Sequence, residues 1–64
     1  MLRLNVEKIR MEMSRLGLTE AELARQWGVT RQAVWDYLNR RPITLADKFA
    51  DILKLDPKDL IINE

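Results

Sequence analysis

The chain has no cysteine and no histidine. Without these two residues there is no thiolate or imidazole metal ligand, no Cys or His nucleophile and no His general base. No disulfide can staple the fold either. That matters because a domain of 64 residues buries only about 60 % of its unfolded surface. Hydroxyls are confined to Ser14, three threonines and Tyr37. No Gly-rich phosphate loop and no metal-ligand spacing occurs, so the expectation is no enzyme, no cofactor and no metal. Apolar runs fall well short of the roughly 18–20 residues a membrane span requires. The start, Met1-Leu2-Arg3-Leu4-Asn5, has no apolar block of signal-peptide length. An intracellular, cytoplasmic protein with no membrane contact is expected.

What is present is a helix-forming mixture, 47 % hydrophobic and 33 % charged. The net charge of +1 conceals an asymmetry. Residues 1–41 carry eight bases (Arg3, Lys8, Arg10, Arg15, Arg25, Arg31, Arg40, Arg41) and five acids (Glu7, Glu12, Glu20, Glu22, Asp36), a balance of +3. Residues 42–64 carry Lys48, Lys54 and Lys58 against Asp47, Asp51, Asp56, Asp59 and Glu64, a balance of −2.

With only two glycines and two prolines, punctuation is sparse, and it divides the chain into five short helices. Strand patterning is slight. A first helix over Asn5–Leu16 has Val6, Ile9, Met13 and Leu16 on one stripe, and Gly17 stops it. A second opens on the capping box Thr19-Glu20-Ala21-Glu22, with Glu22 expected to reach back to the cap, and closes at Gly28. A third is capped by Thr30 and stops near Asn39, ahead of Arg41-Pro42. A fourth follows Thr44 as N-cap and buries Leu45, Phe49, Ile52 and Leu53. A fifth starts at Asp56-Pro57. Leu60 and Ile61 or Ile62 then pack back. The expected fold is an all-α, five-helix bundle in one domain, residues 1–64.

Residues 20–39 combine two short helices with a turn of a few residues, an arrangement that crosses steeply. Ala24 is the small residue for the crossing, and Gly28 tolerates positive φ in the turn. Leu23, Trp27, Val29, Val34 and Tyr37 are the apolar anchors. At about 100° per residue, Arg31, Trp35, Asn39, Gln32 and Asp36 share about 140° of arc, apart from Tyr37, Val34 and Leu38. The polar arc is rich in base-reading groups: Arg pairs bidentately with guanine, Gln with adenine, and a carboxylate accepts from cytosine.

The stretch Leu18-Thr19-Glu20-Ala21-Glu22-Leu23-Ala24-Arg25-Gln26-Trp27-Gly28-Val29-Thr30-Arg31-Gln32-Ala33-Val34 resembles the helix-turn-helix of phage Cro and repressor-type (xenobiotic-response-element) DNA-binding domains. Phe49 to Leu60 is similar to that family's fourth helix and the start of its fifth. The resemblance implies a compact lambda-repressor-like fold that binds operator DNA as a homodimer, with its third helix in the major groove. It places family base readers on Arg31, Gln32 and Asp36, and the backbone-contacting loop on Arg40 and Arg41. Glu20 stands where the family often has a phosphate-contacting Gln, Trp35 where polar residues are usual, and the turn after Asn39 lacks the common Gly.

The expected base-reading set is therefore Arg31, Gln32, Trp35 and Asp36. The phosphate set is Thr30, Asn39, Arg40 and Arg41, which Arg10 and Arg15 could extend. Asp36 could instead pair with Arg40. Trp35 could fold against Arg31, pack on a sugar or a thymine methyl, or meet a protein. Ile61 and Ile62 are candidate dimer contacts, or pack under the fourth helix. The expected function is a transcriptional regulator acting as a repressor, with control by concentration because the length leaves no room for an effector domain. The rivals are an antitoxin of the same fold that also binds a toxin, and a protein-interaction module that has lost DNA binding.

Overall fold

Asparagine, threonine and glycine delimit the first helices. In the computed structural model, which describes residues 1–64, α1 spans Val6–Leu16. Asn5 Oδ1 accepts from Lys8 N at 3.2 Å to cap its start. Gly17 ends it at φ +69, and Leu18 N–H returns to the Met13 carbonyl at 2.8 Å. α2 spans Glu20–Trp27, and its cap Thr19 accepts from Glu22 N at 3.1 Å. Only that half of the expected capping box forms, because the Glu22 carboxylate bonds to Arg25 instead, at 2.9 Å.

α3 spans Arg31–Arg40, one residue beyond the expected stop at Asn39. Arg41 takes the left-handed conformation, φ +54, that a glycine would adopt without strain. Thr44 is not an N-cap: Ile43–Leu45 form one 3-10 turn that runs straight into α4, Ala46–Leu53, whose start has no side-chain cap bond.

The expected fifth helix is a single 3-10 turn, Pro57–Leu60, although Asp56 caps it as its sequence suggests. The chain then extends. Ile61–Asn63 form β2, which pairs antiparallel with β1, Leu2–Leu4, in the register Leu2↔Asn63, Arg3↔Ile62 and Leu4↔Ile61. The architecture is thus four α-helices closed by a two-stranded clasp, not five helices. A backbone bond from Asn5 N–H to the Leu60 carbonyl, 2.7 Å, fastens the clasp beside α1.

One apolar cluster joins all of these elements. Leu4, Ile9, Leu23, Val34, Phe49 and Leu60 are fully enclosed, with Met13, Ala24, Leu38 and Leu53 beside them. Trp27 stands edge-on to Phe49, centroids 4.8 Å apart, and lies 5.2 Å from Tyr37. Trp27 and Tyr37 are thus half-buried at the core margin, where Val29, Leu45, Ile52 and Ile61 also pack. Leu16, expected on the buried stripe of α1, is exposed, whereas Leu4 in β1 is buried. No helix is long and apolar enough to cross a membrane.

Glu12 is the one charged residue in the buried set. Its carboxylate accepts from Arg15 Nε at 2.7 Å, and this bond lowers its pKa below the ordinary 4.5 against the opposing effect of burial. A carboxylate depressed by folding contributes stability above its unfolded pKa and loses it as pH falls through the folded value. Urea melts of Glu12→Gln should therefore show lower stability than wild type at neutral pH. They should also show a smaller loss on acidification below pH 4.5. Parallel pH profiles would assign the acid sensitivity elsewhere.

Candidate nucleic-acid interface

The turn between α2 and α3 sets how α3 lies against α2. Gly28 holds φ +80, and Val29 N–H reaches back to the Ala24 carbonyl at 3.0 Å. Nothing lies within 4 Å of where a Gly28 Cβ would stand, so the requirement there is conformational and not steric. Ala24 is buried, which lets α2 and α3 approach closely. Thr30 then caps α3 by accepting from Ala33 N at 3.0 Å.

α3 divides as its periodicity predicts. Val34 and Leu38 are buried and Tyr37 half-buried, while Arg31, Gln32, Trp35 and Asn39 are exposed and Asp36 is intermediate. Glu20, the first residue of α2, joins Arg31, Gln32 and Trp35 around one open recess. The structure thus brings together three of the four expected base readers. The fourth, Asp36, bonds to Arg40 Nε at 3.1 Å, which is the alternative its i,i+4 spacing offered.

The arginines are nearly all engaged. Arg3 pairs with Glu64, Arg10 with Glu20, Arg15 with Glu12, Arg25 with Glu22, Arg40 with Asp36, and Arg41 with both Glu7 and Glu64. Arg31 alone has no carboxylate partner. It sits in the first turn of α3, the end that approaches base edges in a helix-turn-helix. Glu20 does not stand bare at the recess, because its carboxylate lies 3.5 Å from Arg10 on α1.

The expected phosphate contacts differ in freedom. Thr30 Oγ1 accepts its capping bond with a lone pair, which leaves the hydroxyl hydrogen able to donate. Asn39 Nδ2 already donates to the Trp35 carbonyl at 2.8 Å. Arg40 is 77 % exposed, and an exposed i,i+4 pair is worth only about 0.3–0.5 kcal/mol, which a phosphate can displace. Arg41 is different. Its side chain is only 25 % exposed and bonds Glu7 at 2.7 Å and Glu64 at 3.1 Å, tying the first turn of α1 to the end of β2.

Sequence reasoning missed this tie, because the partners lie far apart in the chain. The Glu12–Arg15 bond had a signal, i,i+3 spacing on one helix. Arg40→Ala should lower the slope of log K against log salt by about 0.9 and leave the fold unchanged. Arg41→Ala should instead lower the urea midpoint and leave that slope in place. Equal slope changes would make both residues phosphate ligands.

Ile61 and Ile62 are half-buried in β2, opposite Leu4 and Arg3. No group of three or more His, Cys, Asp or Glu side chains is placed to hold a metal ion.

Residues 8–64 match a family described as the Cro/C1-type HTH DNA-binding domain. Neither a curated protein nor a solved structure matches the chain. The match takes in α2, the Gly28 turn, α3 and α4 together, and on that span the chain belongs to the Cro/C1-type helix-turn-helix DNA-binding family.

Proposed function

We propose that this chain is a sequence-specific regulator that binds operator DNA as a homodimer and represses by occupying the site. α3 enters the major groove, Arg31 takes a guanine, and Gln32 and Trp35 read neighbouring positions. Asp36 remains bonded to Arg40 or accepts from a cytosine beside it. Thr30, Asn39 and Arg40 meet phosphates, and Ile61 and Ile62 lie at the two-fold contact. The observation that carries this reading is the state of Arg31: exposed, at the entering end of α3, and the one arginine whose charge no carboxylate of the chain neutralises. A guanidinium so placed has its planar fork free for guanine O6 and N7.

Glu20, Asp36, the exposed Trp35 and the net charge of only +1 are the features that would favour an interaction module with no affinity for DNA. Glu20 lies 3.5 Å from Arg10, so it does not present a bare charge to phosphate, and Asp36 stands beside Arg40, whose exposed guanidinium can meet a phosphate while still facing it; both favour the DNA reading.

Selection of bound duplexes from a random pool tests the reading. It should enrich a two-fold symmetric site whose half-sites lie about 34–36 Å apart. Equal binding of selected and random duplexes at moderate salt would refute it.

A further inference from the structure

Trp35 is the feature that DNA binding in general does not explain. It is 49 % exposed on a face otherwise made of polar and charged groups. It also stacks on no other ring: the aromatic contacts of the chain are those of Trp27 with Tyr37 and Phe49. It shares its recess with Arg31 and Gln32. Its backbone carbonyl is bonded by Asn39, but that bond leaves the indole free.

Four residues of helix separate Trp35 from Arg31, an advance of about 6 Å on the same face. A side chain one turn further along a helix lying in the groove meets a neighbouring base pair. Of the groups displayed on the major-groove edge, the only apolar one is the 5-methyl of thymine. An indole has an apolar body to cover that methyl, and covering it takes both out of water.

We propose that Trp35 is a specificity-determining residue that reads the 5-methyl group of a thymine adjacent to the guanine taken by Arg31. The inference rests on α3 lying in the major groove, and it adds the chemical group that the recess recognises. The recess excludes nothing by shape, since it is open. Its preference comes from the apolar contact, so each half-site of the operator carries a thymine, on either strand, at the base pair next to the guanine.

The test uses the full chain and the duplex enriched by selection, with each thymine replaced in turn by deoxyuridine. That replacement removes the methyl and preserves base pairing. Wild type should bind about fourfold more weakly when the thymine beside the essential guanine is replaced in one half-site, the worth of one buried carbon. Replacement elsewhere should have little effect. Trp35→Ala, at a half-exposed position that leaves the core intact, should bind thymine and uracil duplexes equally.

A flat uracil scan in wild type would overturn the inference, as would a selected site with no thymine beside the guanine. So would an equal loss on both duplexes in Trp35→Ala, which would put the ring on a sugar, or no loss on either, which would leave it for a protein partner. Failure to enrich any sequence would refute the operator reading itself. Enrichment with a flat scan would refute only the role of Trp35.

Discussion

Replacing Arg31 with alanine is expected to weaken operator binding by about 1–3 kcal/mol per half-site and to abolish the preference for one base. The guanidinium makes no bond within the chain, so nothing in the fold depends on it. Thermal unfolding of Arg31→Ala should therefore overlay that of wild type. The loss belongs to the bound state alone, where the guanine O6 and N7 lose a bidentate donor and are left facing protein. Arg31→Lys separates charge from geometry. It keeps the cation but not the planar fork, so it should retain most of the salt dependence while losing discrimination at that base. Fluorescence titrations with the selected duplex and its single-base variants read both quantities. Undiminished base preference in Arg31→Ala would place the reading elsewhere on α3.

Phe49→Ala is expected to bring the domain to the edge of unfolding. The ring is fully buried and meets Trp27 edge-on at 4.8 Å, and Trp27 in turn leans on Tyr37 of α3. Truncating a buried Phe costs about 3–5 kcal/mol through lost transfer energy and the cavity left behind. At the usual stability per residue, a chain of this length has only about 3–10 kcal/mol in hand. The same ring braces the end of α2 directly and α3 through Trp27, so the partly unfolded variant should lose DNA binding along with its cooperative transition. Urea melts followed by tryptophan fluorescence report this directly. Phe49→Leu, which refills much of the space, should restore most of the midpoint. A loss under 1 kcal/mol in Phe49→Ala would mean that α4 is not what holds the two helices at their angle. The two variants fail in opposite ways, Arg31→Ala as a folded protein that reads poorly and Phe49→Ala as a reader that does not stay folded.

The helix-turn-helix was legible because its signals are local. Thr19 and Thr30 each supply an oxygen to an amide three residues on, and Gly28 alone can take φ +80 without a Cβ penalty. The exposed arc of α3 followed from helical period alone. The clasp was not legible. Three-residue strands are too short to show alternation, and Leu2–Leu4 finds its partner at the other end of the chain. Asp56-Pro57 caps a 3-10 turn as readily as an α-helix. What stops the helix there is the pull of Ile61 and Ile62, β-branched residues, into pairing with β1. The ion pairs of Arg41 were hidden for a related reason. A basic residue in a loop beside a reading helix suggests a phosphate, but its partners come from distant parts of the chain, Glu7 from the first turn of α1 and Glu64 from beyond the end of β2.

The internal pairing of nearly every arginine bears on how such a protein would search a chromosome. A random duplex attracts a protein through its cations, and six of the seven arginines here already hold a carboxylate that a phosphate would have to displace. An operator competes with about 10⁶–10⁹ other positions in a genome, and a strongly basic reader spends most of its copies on them. A reader whose arginines are mostly paired at home would spend fewer of its copies on such positions than one whose arginines stand bare. Operator occupancy would then depend less on how much DNA the cell contains.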